Sequence, residues 1–211
     1  MGSAPDPNDL TARAAIRNAA LRLFADRGAD AVTVREIATQ AGVSPALILH
    51  HFGSKDGLRA EVDAYAAQAF DAIFEAMPAD ELVEFLAGGA AGGSLAEAFA
   101  RGFPHGSPLP AYLGRLFLTH DPAGAALFGR WYAMTRRLFD LMVEAGAARP
   151  TDDPAVRAAF FLVNDLALIL LRTQIATVIG SDPLEPDGVE RWGREAGKVY
   201  AEGAFQAPAK E

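Results

Sequence analysis

Residues 33–58 read TVREIATQAGVSPALILHHFGSKDGL, a stretch that contains the start signals of two helices and a turn between them. Thr33 and Glu36 have the spacing of a capping box, in which each side chain satisfies a backbone amide at the start of a helix. After a turn that contains glycine, Ser44 is suited to cap a second helix, and Pro45 is suited to its first turn. The stretch therefore predicts two short helices joined by a tight turn.

Helical periodicity continues on both sides of this stretch, and no segment shows the alternation and turns of β-hairpins. A first helix is indicated by an apolar stripe that includes Ile16, Ala20 and Phe24, and Gly28 is placed to end it. The helices predicted in this way span about residues 9–27, 33–40, 44–51, 54–77, 80–87, 95–102, 112–119, 122–145, 153–179 and 187–205. We therefore expect an all-α fold.

Composition limits the class of protein. Hydrophobic residues make up 51% of the chain and charged residues 22%, which is enough apolar material for a packed core. The count of zero cysteines excludes disulfides, zinc-thiolate sites and a thiol nucleophile within this sequence. The N-terminal residues MGSAPDPNDL lack the basic and apolar regions of a signal peptide, and polar residues interrupt the longest apolar run. We expect a cytoplasmic protein with no membrane partner.

Charge is distributed unevenly along the chain. Residues 1–60 hold 7 Lys and Arg against 6 Asp and Glu, whereas the remaining residues hold 12 against 21. DNA phosphates attract basic surfaces, so the N-terminal part is the one expected to bind DNA. Two helices joined by a short turn are typical of the helix-turn-helix, whose second helix enters the major groove. The alternative for the same pattern is an ordinary helical hairpin within a bundle.

Residues 10–60 also closely resemble the N-terminal domain of the TetR family of bacterial regulators. The motifs that carry the resemblance are Leu23-Phe24-x-x-Arg27-Gly28, Thr33-x-x-x-Ile37-Ala38, Ala41-Gly42-Val43-Ser44 and Phe52-x-x-Lys55-x-x-Leu58. The resemblance implies a three-helix helix-turn-helix DNA-binding domain at residues 1–53. It also implies a larger helical ligand-binding and dimerisation domain at residues 54–211. Family members are ligand-responsive transcriptional regulators, usually repressors that a small molecule releases from the operator.

Four residues are candidates for contacts with DNA phosphates. Thr33 and Ser44 stand at predicted helix N-termini, where free amides and the helix dipole favour an anion. Lys55 resembles the family's phosphate-clamping lysine, and His51 stands where relatives usually carry an aromatic residue that donates to phosphate. Leu49 departs from the family, which most often has tyrosine there. The alternatives are pure capping for Thr33 and Ser44, and a solvated surface position for Lys55.

Base readout is expected from the outer face of the second short helix. The candidates there are Pro45, Ala46, Leu47 and His50. Ala46 and Leu47 offer only apolar contact to a thymine methyl group, so His50 is the one strong hydrogen-bonding group of the set. We therefore expect few direct base hydrogen bonds. Adjacent His50 and His51 project about 100° apart on a helix, which disfavours a metal site.

A ligand pocket is expected where aromatic side chains meet a few buried polar groups. The candidates are Phe99, Phe103, Tyr112, Phe117, Trp131 and Asn164. Tyr112 and Asn164 are the members of this set that would orient a ligand. The alternative is that all six are ordinary core residues. Neither a cofactor nor a metal ion is expected.

The last two predicted helices, at about residues 153–205, are expected to form a homodimer. The proposed seam on the final helix contains Val189, Trp192, Ala196, Val199 and Gly203. A two-fold axis on the preceding helix would place Asp165 against the partner subunit's Arg172, with Leu168 on the same face. The opposite face, with Phe160, Asn164, Leu171 and Gln174, would then be turned toward the chain's own core. The alternative places Asp165 and Arg172 in the pocket.

Two classes of function are consistent with this sequence. The first is a regulator that binds double-stranded DNA at a palindromic operator and responds to a small-molecule effector. The second is an all-α ligand carrier or enzyme whose helix-turn-helix is only structural. The enzyme is disfavoured because the sequence has no cysteine, no clustered carboxylates and no histidine pair at metal spacing. We therefore expect no catalytic residues.

Overall fold

The structure, a computed structural model, describes residues 7–75, 102, 106–119 and 121–202. The helices in this part of the chain are α1 (Pro7–Arg27), α2 (Val34–Ala41), α3 (Pro45–Phe52), α4 (Lys55–Glu75), α5 (Leu109–Leu118), α6 (Pro122–Glu144), α7 (Pro154–Leu170), α8 (Arg172–Ile179) and α9 (Pro186–Glu202). No strand occurs among these residues, and the predicted all-α fold class is confirmed. The predicted helix at 80–87 and nearly all of the one at 95–102 lie outside the described residues.

The chain divides into two compact units. Unit 1 comprises Met1–Ala69 and Gly106–Ala125, and unit 2 comprises Phe70–His105 and Ala126–Glu211. The divisions fall inside α4 and inside α6, so each of these helices contributes to both units. Unit 1 thus includes α5, a helix distant in sequence from the predicted DNA-binding domain at residues 1–53. That predicted boundary remains a prediction.

Unit 1 is built around the apolar stripe of α1. Ile16, Ala20 and Phe24 are fully buried, and apolar residues of α2, α3, α4 and α5 are buried in the same unit. α5 packs against α1 and also caps it, because Arg115 Nε donates to the carbonyl oxygen of Ala25 at 2.7 Å. The last carbonyl groups of a helix have no partner within the helix, so this contact satisfies a group that would otherwise need water.

Unit 2 contains one broad buried face of α6. The buried side chains on that face are Leu127, Trp131, Thr135, Leu138 and Met142, which recur at helical spacing. Phe139 of α6 packs on Phe161 of α7, with ring centroids 4.6 Å apart. The long predicted helix at 122–145 is therefore present, and its apolar face lies in the core of this unit.

The prediction of a single helix at 153–179 is wrong, because this segment forms two helices that are separated at Leu171. α7 and α8 meet there at an angle of 80°. Neither proline nor glycine marks the break. The turn allows Ile175 of α8 to pack against the buried pair Leu168 and Leu184, and Trp192 of α9 packs against the same pair. Among the described residues no single helix is long and apolar enough to cross a membrane; only the bent pair α7 and α8 together has the required length and composition.

The predicted orientation of α7 is also wrong. Asp165 and Leu168, assigned to the dimer face, are buried within the chain. Phe160, Val163 and Leu171, on or near the face assigned to the core, are exposed, with 60% of Phe160 and 54% of Val163 accessible. The reversal arises because α9 and the segment before it cover the Leu168 side of α7.

The predicted pairing of Asp165 with the partner subunit's Arg172 is overturned by contacts within the chain. Arg172 Nε and Nη2 both donate to the carboxylate of Asp182 at 2.8 Å, and Glu185 lies 3.7 Å away. The hydrogen bonds from Arg172 hold the pKa of Asp182 below its usual range. Trp192, expected in the dimer seam, packs inward instead. Arg172 therefore stabilises the turn between α8 and α9.

Candidate nucleic-acid interface

The start of α2 is closed by an internal carboxylate. Glu36 N donates to Thr33 Oγ1 at 3.3 Å, while Thr33 N and Oγ1 both donate to Glu36 Oε2 at 2.7 Å, so the predicted capping box is confirmed. Arg27 adds an ion pair at 2.8 Å. The hydrogen bonds from Thr33, together with Arg27, lower the pKa of Glu36 to about 2. A phosphate at Thr33 would have to share the positive end of α2 with this ionised group.

The start of α3 has no such carboxylate. Ser44 Oγ accepts a hydrogen bond from Leu47 N at 3.2 Å, Pro45 is the first helical residue, and the first turn holds no acidic residue. Ser44, Pro45 and Ala46 are all exposed. A helix N-terminus with exposed amides and no neutralising side chain is a favourable place for a DNA phosphate.

The two faces of α3 differ sharply in burial. Ile48 is fully buried and anchors the helix, whereas Pro45, Ala46, Leu49 and His50 are exposed. Three of the four predicted base readers therefore lie on the outer face, and the fourth, Leu47, is half-buried. Leu49, which stands where the family most often has tyrosine, is not among the predicted base readers. Its position four residues after Pro45 was the signal that places it on the outer face.

The junction between α3 and α4 depends on glycine. Gly53 has φ 73°, a left-handed conformation that favours glycine, and a Cβ added to Gly57 would lie 2.1 Å from the carbonyl oxygen of Phe52. Ser54 Oγ accepts from Gly57 N at 3.0 Å. Lys55, the first residue of α4, is half-buried and its Nζ donates to the carbonyl oxygen of Asp30 at 3.4 Å. This junction places a cation at the N-terminus of α4.

Two arginines that could have contacted DNA have partners within the chain. Arg13 donates to the carbonyl oxygen of His51 at 3.0 Å and forms an ion pair with Glu61 at 2.7 Å. Arg17 stacks over the ring of Tyr65 at 3.7 Å. Arg13 thus holds α1 against α3 and α4. His51 itself is half-buried, whereas His50 is exposed.

The predicted ligand residues are divided between the two units and the part of the chain that the structure does not describe. Phe99 and Phe103 lie outside the described residues. Tyr112 is buried in unit 1 and the half-buried Phe117 belongs to the same unit, whereas Trp131 and Asn164 belong to unit 2. Trp131 is buried, and Asn164 donates to the hydroxyl of Tyr200. Their assignment to a ligand pocket remains a prediction.

Known proteins match both parts of the chain. The family model described as "Bacterial regulatory proteins, tetR family" matches residues 16–62, and one described as "Tetracyclin repressor-like, C-terminal domain" matches residues 105–202. The HTH-type transcriptional regulatory protein RaaS of Mycobacterium tuberculosis is 34% identical over 168 residues, which cover 79% of this chain and 74% of RaaS. The chain belongs to the TetR family. It is therefore a DNA-binding transcriptional regulator whose helix-turn-helix is formed by α2 and α3.

Solved structures share the fold of this TetR-family chain. The fatty acid degradation regulator FadR from Bacillus halodurans has a TM-score of 0.70 at 13% identity, over 97% of this chain and 100% of that one. FadR from Bacillus subtilis in complex with stearoyl-CoA has a TM-score of 0.64 at 13% identity, over 91% of this chain and 99% of that one.

Among the residues that the structure describes, no group of three or more histidine and acidic side chains is placed to hold a metal ion.

Proposed function

We propose that this TetR-family protein is a repressor that binds a palindromic operator as a homodimer and is released from it by a small molecule. The observation that carries the proposal is the exposed outer face of α3, which begins at an N-terminus without acidic side chains. The phosphate contacts are assigned to Thr33, Ser44, His51 and Lys55. The base contacts are assigned to Pro45, Ala46, Leu47 and His50. No catalytic role is proposed for the chain.

The exposed side of α7 supports a dimer through residues 153–205. Val156, Phe160 and Val163 lie on one side of the helix and are 62%, 60% and 54% exposed. Tyr200 of α9 packs on Phe161 at 4.6 Å and accepts a hydrogen bond from Asn164, so α9 lies beside α7. A contiguous exposed apolar surface of this kind is typical of an interface, and a two-fold axis buries the same surface on both copies.

A charge placed on this surface tests the dimer. We expect Val163→Glu to produce a monomer in sedimentation analysis, because two like charges would face each other across the axis. Leu118→Glu is the matched control, since Leu118 of α5 is also an apolar, exposed residue, with 70% accessible, and lies outside residues 153–205. A dimer in both variants would contradict the assigned interface. Monomers in both variants would mean that an added carboxylate disrupts the dimer wherever it is placed, which gives no support to the α7 surface.

The effector is proposed to bind in unit 2 beside the buried face of α6. Thr135 lies one helical turn from Trp131, is fully buried, and its hydroxyl has no hydrogen-bond partner among the described residues. A buried hydroxyl without a partner costs about 1–3 kcal/mol, which a ligand could recover by supplying a polar group. The ligand favoured by this surrounding is a largely apolar molecule with one hydrogen-bonding group.

Selection of binding sites from random duplex DNA tests the proposed function directly. We expect recovered sequences with two-fold symmetry, protection of the same sequence near the protein's own gene in footprinting, and lower expression of a reporter placed behind the site. Selection that enriches no sequence would favour the ligand carrier or enzyme with a structural helix-turn-helix. Higher reporter expression would contradict the proposed role as a repressor and indicate an activator.

A further inference from the structure

The outer face of α3 presents one large apolar side chain to solvent. Leu49 is 48% exposed, although its neighbour Ile48 is fully buried. Pro45, Ala46 and His50 complete the exposed face. Leu49 is therefore not required by the core of unit 1, and it lies in the surface that the DNA-binding helix presents to its operator.

The chemistry of α3 is unusual for a helix that reads bases. Its sequence, PALILHHF, contains no Arg, Lys, Asn, Gln, Asp or Glu, the side chains that form the common hydrogen-bonded pairs with base edges. Apart from its histidines, α3 can distinguish base pairs only by apolar contact. The apolar group that a base pair presents in the major groove is the C5-methyl of thymine.

We propose that Leu49 is a specificity-determining residue that reads the C5-methyl group of an operator thymine. The inference rests on the proposed function, because it requires that α3 enters the major groove of an operator. Ala46 shares the exposed face but carries a single methyl group, so Leu49 extends further from the helix. Contact between Leu49 and the thymine methyl removes both apolar groups from water.

This mode of reading has a chemical consequence. A leucine side chain forms no hydrogen bond, so it does not distinguish the O4 acceptor of thymine from the N4 donor of cytosine. It responds to the methyl group alone. 5-Methylcytosine carries a methyl group at the same ring position. At this base pair it therefore makes the same apolar contact with Leu49 as thymine does.

The test removes single methyl groups from the DNA. Each thymine of the selected operator is replaced in turn by deoxyuridine in both half-sites, and Kd is measured at one fixed salt concentration. At one position we expect deoxyuridine to raise the Kd of the wild-type protein about fourfold per half-site. This fold-change corresponds to about 0.8 kcal/mol, the free energy of burying one methyl-sized group. At that position cytosine should bind weakly and 5-methylcytosine should restore affinity.

The same DNA series is measured with two variants. Leu49→Ala should lose the response to both methyl groups, while its thermal unfolding stays near that of the wild type because Leu49 is exposed. Leu118→Ala, at a leucine of α5 that is 70% exposed, should keep the full methyl response. A methyl response that persists in Leu49→Ala, or an operator indifferent to every thymine methyl, overturns the inference alone. Failure to select any operator overturns the proposed function and the inference together.

Discussion

The hydroxyl of Tyr112 in α5 donates a hydrogen bond to a carboxylate oxygen of Asp63 in α4, at 2.5 Å. Burial raises the pKa of Asp63 above its usual value, and burial together with Asp63 raises the pKa of Tyr112. Arg59, one turn before Asp63, forms an ion pair with Asp121 just beyond α5. These contacts connect α4 to the part of unit 1 that begins at residue 106.

Replacement of Tyr112 by phenylalanine should lower the free energy of unfolding by about 1–3 kcal/mol. The reason is that the partly buried carboxylate of Asp63 loses its donor. Urea denaturation at pH 7 measures the change, and Tyr132→Phe is the control at a half-buried tyrosine of α6. Unchanged stability together with weaker effector binding would contradict this structural role and support the ligand-binding role predicted from the sequence.

Acidification should release the cap of α2. The pKa of Glu36 is about 2 in the folded chain, below the ordinary value of 4.5, so its contribution to stability is present above pH 4.5. That contribution is lost as the pH falls from 4.5 toward 2. Glu36→Gln replaces the titrating carboxyl group by an amide that does not ionise. The wild type therefore loses its advantage in stability over the variant as the pH falls. Thermal unfolding over this pH range measures it, and a difference that stays constant would contradict the assignment.

A methyl group at Gly57 should disrupt the DNA-binding unit. The added Cβ of Gly57→Ala would lie 2.1 Å from the carbonyl oxygen of Phe52, so α3 and α4 must separate. We expect weaker operator binding and a lower midpoint of thermal unfolding. Gly129→Ala is the control, because a Cβ there meets nothing within 4 Å. That control should be neutral or stabilising by about 0.5–1 kcal/mol, since alanine favours the helix.

Removal of the cation at Lys55 should weaken binding to all DNA sequences to a similar degree. In Lys55→Ala the slope of log affinity against log salt should fall by about 1, because one phosphate contact is lost. His50→Ala should instead relax the preference at one base pair. Arg149→Ala, at an exposed arginine that follows α6 and lies outside residues 153–205, is the control and should leave the slope unchanged. A slope that stays the same in Lys55→Ala would remove that residue from the interface.

Substitution of Thr135 by valine should separate ligand binding from stability. Valine preserves the shape and removes a hydroxyl that is buried with no hydrogen-bond partner in the described part of the chain, so the ligand-free protein should become more stable by about 1 kcal/mol. Release from the operator should then need more effector. Thr177→Val, at an exposed threonine of α8 whose hydroxyl donates to Thr173, is the control for the substitution itself. Unchanged release with increased stability would exclude Thr135 from the effector site.

Local sequence signals are sufficient to predict the helix-turn-helix of this protein. Its signals act over four residues or fewer: Thr33 with Glu36, Ser44 with Leu47, and the left-handed turn at Gly42. Such hydrogen bonds and backbone preferences are complete within the segment that contains them, so no other part of the chain is needed to predict them. For the same reason the interval from residue 33 to residue 52 was predicted to within about one residue.

Contacts between segments distant in the sequence set the placement of α5, the break at Leu171 and the orientation of α7. Both sides of α7 are apolar, with Phe160 and Val163 on one and Leu168 on the other, so periodicity could not select the buried side. The selection depends on Leu184 and Trp192, which reach Leu168 only after the turn that Arg172 and Asp182 stabilise. Burial of an apolar face is governed by which distant segment covers it, and that information is not contained in the local spacing of residues.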